Sequence, residues 1–208
     1  LVNAALIAAV TTTLAMIVAL PLALVGARFR FPGKTLLSGL LLLPLVLPPF
    51  VGAIGVRHLL GRAGALNALL GVDTDWLAGG GMWAIAAMEA ISLYPILYLN
   101  IMASLANLDP ALEEAAQSLG AGPWTRLRRV TLPLVRPGVF AGATIVFIWS
   151  FTELGTPLVF EYRHVTPVQV FDGLKEVERS AEPYALVVVM LTVAVSSYIL
   201  GKAVFGRA

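Results

Sequence analysis

The sequence predicts an all-α protein that crosses a lipid bilayer about five times. Three observations carry that prediction. First, long runs are almost free of charge: Leu1 to Ala27, Thr35 to Val56 and Pro183 to Gly201 have none, Trp76 to Leu108 has only Glu89, and Pro137 to Phe160 only Glu153. A helix needs about 20 apolar residues to cross a hydrocarbon core of about 30 Å. Second, 12% of the 208 residues are charged and mean hydropathy is +0.88, against about 25% charged in a soluble domain. Third, the apolar residues come in blocks rather than in alternation, which argues against a soluble α/β core.

The elements follow in order. The first span covers about 3–27 and ends at Arg28 and Arg30. The second covers about 36–59. The stretch 61–81 presents Leu66, Leu69 and Leu70 on one side and predicts an interfacial helix. The third span covers about 82–105, the fourth about 137–160 and the fifth about 183–205, with a short helix near 167–178 between the last two. Prolines inside the spans (Pro21, Pro44, Pro48, Pro49, Pro95, Pro157) are compatible with membrane helices, whose neighbours satisfy the freed carbonyls.

Basic residues set the orientation. Arg28, Arg30, Lys34, Arg126, Arg128, Arg129, Arg136, Lys202 and Arg207, nine of the 14 Lys and Arg, fall in one set of loops. The other set holds Arg57, Arg62, Arg163, Lys175 and Arg179 with most of the acids. Leu1 therefore starts outside, and residues 108–137 and the C-terminus are expected in the cytoplasm.

That central segment, Leu108 to Pro137, is a compact charged unit between apolar spans. Asp109-Pro110 is a helix start: an N-cap oxygen, then a proline where its missing N–H costs nothing. Glu113 and Glu114 lie early, where the helix dipole favours them. Leu112, Ala115, Ala116 and Leu119 make one narrow apolar face. Gly120 stands where a left-handed terminator is wanted, and Gly122-Pro123 turns the chain. A second short helix carries Arg126, Arg128 and Arg129 and is expected to stop near Leu132-Pro133. Such a knuckle is too short and too small-faced to be a core. It suits a lever for a partner protein, or a loop held to lipid phosphates by arginine.

The residues Glu114-Ala115-Ala116, Gly120, Val130, Leu132 and Pro133 resemble the coupling loop of permease subunits of binding-protein-dependent ABC importers. That pattern reads E-A-A, three residues, G, nine residues, an aliphatic residue, one residue, L-P, and every spacing fits. The resemblance covers nearly the whole chain. It implies a single transmembrane domain over residues 1–208 in a bacterial inner membrane, with one further span that would precede Leu1, and a coupling helix at about 110–120 gripped by an ATP-hydrolysing subunit. The coupling residues it implies are Glu113, Glu114, Ala115, Ala116, Leu119, Gly120, Leu132 and Pro133. It further implies a second permease domain, as a homodimer, a heterodimer or the other half of a fused chain, and a periplasmic solute-binding protein. The chain itself would be no enzyme. ATP and Mg would sit on the partner, and this chain would bind no cofactor.

Other classes find little support. Gly33-Lys34-Thr35 ends like a phosphate loop, but six residues separate Gly26 from Gly33 instead of four, and no strand precedes them. With 0 Cys and His58 and His164 far apart, no metal site is predicted. Net charge of +2 gives no sign of nucleic-acid binding. A proton-driven secondary transporter is the distant alternative, but no inverted repeat is visible.

Carboxylates within spans default to a functional hypothesis. Glu89 and Glu153, with Thr152, are the candidate pathway residues. The phrases "LLLPLVLPPFVGAIG", "SLYPILYLN" and "ELGTPLVF" look most like the ferric-iron branch of these permeases, with polyamine, thiamine, sulfate and phosphonate permeases as near relatives. Two acids in the pathway would suit a cation better than an anion, so ferric iron is the expected cargo. The pair Gly138 and Gly142 fits close helix packing.

Overall fold

A computed structural model describes residues 1–29, 31–74, 77, 81–175 and 181–205. The described residues form helices and connecting turns, with no strand. Three long helices make the centre: α1 (Val2–Arg28), α6 (Gly81–Ala106) and α9 (Leu132–Thr152), each packed on the other two. Small side chains on α1 and α9 meet larger ones such as Leu93, Leu97 and Ile101 on α6. α1 buries Ala4, Ala8, Thr11, Ala15, Ala19 and Ala23, a stripe repeating every three or four residues that lets helix backbones approach closely. Gly138 and Gly142 of α9 are buried against α6: a Cβ on Gly138 would lie 2.6 Å from the Asn100 carbonyl oxygen, and one on Gly142 3.0 Å from the Leu97 Cα. The small-residue pair expected from the sequence is therefore the α6–α9 crossing.

The first, third and fifth spans appear as continuous helices α1, α6 and α12 (Glu182–Phe205), with Pro21 and Pro95 inside α1 and α6. The second does not. It consists of α2 (Lys34–Leu41), α3 (Leu43–Val46) and α4 (Pro49–Leu60), with a bend of 92° between Lys34–Val46 and Pro49–Leu70. Thus the described residues contain four helices long and apolar enough to cross a membrane, and five spans only if the bent pair counts as one. The cause lies in the prolines. Leu47 and Pro48 each precede a proline and are driven to extended backbone, with ψ of 129° and 145°, because the α conformation clashes with the proline ring. At the separate junction of α2 and α3 the Leu45 N–H turns to the Leu42 carbonyl at 3.0 Å, and Tyr94 of α6 donates to the Leu41 carbonyl at 2.8 Å.

The fourth span also differs. The second short helix does not stop at Pro133. α8 (Pro123–Arg126) passes through a π-helical turn (Leu127–Thr131) directly into α9, giving one apolar helix over Pro123–Thr152. The Leu132 N–H reaches back five residues to the Leu127 carbonyl. The wider turn shifts the hydrogen-bond register ahead of Pro133 and absorbs its missing N–H. At its other end α9 closes at Thr152, and the residues expected as its last turn form the separate α10 (Gly155–Val159).

The shorter helices cap the bundle. α5 (Ala65–Leu70) is the expected interfacial helix, with Leu69 and Leu70 exposed, and α11 (Thr166–Lys175) matches the helix expected near 167–178, whose last residues lie outside the described ones. Asn3 at the start of α1 donates to the His164 carbonyl at 2.9 Å. That joins the start of α1 to the loops following α10, at the end of the bundle opposite Arg28. Gly33, with φ of 84°, is the left-handed turn entering α2, not a phosphate loop.

Candidate functional site

At the Arg28 end of the bundle stands α7 (Pro110–Ser118). Its termini are fixed locally. The Asp109 carboxylate accepts the Ala111 N–H at 2.9 Å, and Pro110 occupies the first turn. At the other end Gly120 has φ of 81°. The Ala121 N–H reaches the Ala116 carbonyl at 3.0 Å and the Gly120 N–H the Gln117 carbonyl at 2.9 Å. These paired bonds define a Schellman terminator, which needs a left-handed residue at Gly120.

Three side chains fasten α7 to the bundle. Glu113 Oε1 accepts from Arg28 Nη2 at 2.6 Å and from the Thr131 hydroxyl at 2.5 Å. Arg28 Nη2 also reaches Thr131 Oγ1 at 2.7 Å. One carboxylate therefore ties α7 both to the last turn of α1 and to the π-helical turn that opens α9. The Thr131 hydroxyl, and behind it Arg28, hold the Glu113 carboxyl below the usual carboxylate range. A further clasp runs from Arg126 Nη1 to Gln117 Oε1 at 2.5 Å.

The opposite face of α7 is open. Leu112 and Leu119 are exposed, Leu119 at 89%, and Trp124 beside them at 70%. Ala115 and Glu114 are also exposed, and Ala116 is half-buried. Of the expected coupling residues, Glu114, Ala115, Leu119 and Gly120 lie on this surface. Glu113 points back into the bundle, and Leu132 and Pro133 begin α9. The role of Glu113 as the fastening, together with Arg28 and Thr131, was not legible from the pattern. The basic end of α1 and the early acid of α7 were visible, but nothing placed residues 85 and 103 positions apart together.

The expected pathway acids sit elsewhere. Glu89 is fully buried in α6. Its Oε2 accepts the Ser150 hydroxyl, and Thr11 Oγ1 lies 3.3 Å from the same oxygen. It thus links α6 to α9 and α1 inside this chain. Glu153 is half-buried and turns back on its own backbone: Oε1 accepts from the Gly155 N–H at 3.1 Å and the Thr156 N–H at 3.3 Å. The carboxylate is the cap of α10. Thr152 is exposed, with its hydroxyl 2.9 Å from the Ile148 carbonyl. Among the described residues no group of three or more His, Asp or Glu side chains is arranged to hold a metal.

The segment that the sequence pattern singles out is thus a helical unit with an exposed apolar face, fastened at one end of a bundle of membrane-length helices. Residues 12–207 match the family described as binding-protein-dependent transport system inner membrane component. The chain belongs to that family. It is a permease subunit of the ABC importer type, not a catalytic one. The Molybdenum transport system permease protein ModB of Haemophilus influenzae is 39% identical over 152 residues, which take in 70% of this chain and 65% of that relative. The ferric transport system permease protein FbpB of Actinobacillus pleuropneumoniae is 33% identical over 155 residues, 72% of this chain but 22% of that relative. The solved structure of a bacterial ABC transporter involved in the import of the acidic polysaccharide alginate superposes with a TM-score of 0.74 at 18% identity, covering 99% of this chain and 79% of that one.

Proposed function

We propose that this permease subunit forms half of the pathway of an ATP-driven importer for a tetrahedral oxyanion, with molybdenum, carried as molybdate, as its cargo. The observation that carries the importer reading is α7: an exposed apolar rod, stopped by a left-handed glycine and bonded through Glu113 to both α1 and α9. On this reading an ATPase subunit grips Leu112, Ala115 and Leu119 on the cytoplasmic side. ATP and Mg bind there and not on this chain. The closing of two ATPase subunits moves α7, and the Glu113 bonds pass that motion to α1 and α9. A second permease domain, separate or fused, completes the pathway, and a periplasmic binding protein delivers the solute at the opposite end. Residues 1–208 are read as one transmembrane domain within the inner membrane, with 108–137 and the C-terminus cytoplasmic.

The cargo reading departs from ferric iron. Support for molybdenum comes from the relative named for it, matched at higher identity and over more of its own length than the ferric one. The argument for a cation rested on two acids in the pathway. Glu89 is sealed within one chain and Glu153 is engaged by backbone N–H groups, so neither stands against an anion. Ferric iron remains the second reading on the FbpB likeness.

The test is reconstitution of the chain with its ATPase and binding protein in vesicles. ATP-dependent molybdate uptake, with hydrolysis stimulated by the loaded binding protein, is the expected result. Iron uptake without molybdate uptake would transfer the assignment to the second reading. Uptake driven by a proton gradient in the absence of ATP would refute the importer mechanism.

A further inference from the structure

At the end of the bundle opposite α7, between α4 and the turn after α10, lies an open cavity of about 820 Å³. Its polar lining holds two guanidinium groups, Arg57 and Arg62, the His58 imidazole and one acid, Glu161. Arg57 bridges two elements. One nitrogen of its guanidinium donates to the Val159 carbonyl, and Nη2 pairs with Glu161 Oε1 at 2.5 Å. Arg62, in the turn after α4, faces Asp73 through Nε at 3.1 Å.

Glu161 is unusual in its backbone. With φ of 56° it is a non-glycine left-handed residue among the described ones. The Tyr162 N–H reaches the Pro157 carbonyl at 2.9 Å and the Glu161 N–H the Leu158 carbonyl at 3.1 Å. This is the helix terminator in which glycine is the low-cost choice. A glutamate there carries a steric penalty that glycine would avoid, and what it adds is a carboxylate placed on Arg57.

We propose that this cavity is a tetrahedral-dianion site, in which Arg57, supported by Arg62 and His58, holds the oxyanion and Glu161 is the counter-ion it displaces. A planar guanidinium with five N–H groups suits two-point binding of an oxyanion. Exchange of Glu161 for the solute also removes one of the two bonds by which Arg57 ties α4 to the end of α10 and the turn after it, leaving the Val159 carbonyl as the other, so arrival of cargo loosens a tie at this end of the pathway. The inference rests on the oxyanion reading above and deepens it by naming the residues.

The experiment is equilibrium dialysis of labelled molybdate and labelled sulfate against the full-length chain in detergent, with helicity checked by circular dichroism. Arg57→Gln is expected to weaken molybdate binding by about tenfold, the loss of one charge-assisted contact. Arg57→Lys retains part of it, and Glu161→Gln tightens it by removing the competitor. Saturable binding lost in Arg57→Gln supports the site. If sulfate binds equally well with the same dependence on Arg57, the site is again supported while the molybdenum assignment above fails. No saturable binding, binding untouched by the double substitution Arg57→Gln and Arg62→Gln, or weakening by Glu161→Gln would each overturn the site, even where the reconstituted transporter carries molybdate.

Discussion

Replacing Glu113 by Ala removes a side chain that joins α7 to both α1 and the turn that opens α9. The loss is two bonds to an ionised carboxylate, from Arg28 at 2.6 Å and from Thr131 at 2.5 Å. Each such bond contributes about 1.5–3 kcal/mol when sheltered. Arg28 and Glu113 are 31% and 34% exposed, so solvent screening brings the sum to roughly 1–2 kcal/mol. That lowers the ratio of docked to undocked α7 by a factor of about 5 to 30. The chain has 0 Cys, so cysteines introduced at Ser118 and Val25 carry spin labels without background. The distance distribution between them should broaden in Glu113→Ala, while ATP hydrolysis by the reconstituted complex continues and uptake per ATP falls. A distribution as narrow as that of the parent chain, with normal uptake per ATP, would refute the transmission argument. The pH dependence has a defined sign. The folded-state pKa of Glu113 is lowered, first by the Thr131 hydroxyl and then by Arg28. Its contribution is therefore complete above the unfolded value of about 4.3 and is lost as pH falls through the lower folded value. Between pH 6 and 8 the label distances should not change.

Three further substitutions probe the rest of the account. Gly120→Val places a β-branched residue at φ of 81°, at a cost of about 1–2 kcal/mol; the last turn of α7 should fray and uptake should fall while the chain still inserts, as read by membrane fractionation and transport. Glu114→Lys reverses a charge on the exposed face of α7 without touching the bundle, so it should uncouple transport with an unchanged melting temperature in detergent. Gly142→Leu forces side-chain atoms into a site where even a Cβ lies 3.0 Å from the Leu97 Cα; overpacking of about 1–3 kcal/mol should lower the melting temperature, and an unchanged value would contradict the α6–α9 packing.

Much of this was legible from residue order. The spans read as charge-free runs because a helix in hydrocarbon must satisfy its own backbone, which leaves composition as the dominant signal. The helix α7 was legible from both ends, since Asp109-Pro110 and Gly120 act through local backbone chemistry. The broken second span was present in Leu47-Pro48-Pro49, where each residue before a proline resists the α conformation. An apolar count takes no notice of that resistance. Pro133 misled in the opposite direction, because the π-helical turn that accommodates it depends on a register shift with no residue signature. Glu89 and Glu153 show the other limit. Their depth in the chain was readable, but their partners were not: Ser150 is 61 positions away, and the Glu153 cap depends on its carboxylate turning back onto the Gly155 and Thr156 N–H groups.

The claim on which the account turns is that the exposed face of α7 is held by a nucleotide-driven partner. Leu119, 89% exposed in this chain, supplies the direct measurement. A cysteine at position 119 in the assembled transporter should form a cross-link to the ATPase subunit whose yield changes between nucleotide-free and ATP-bound states, and the partner should shield it from a water-soluble maleimide. Equal labelling with and without the ATPase, or labelling only from the periplasmic side, would contradict the account.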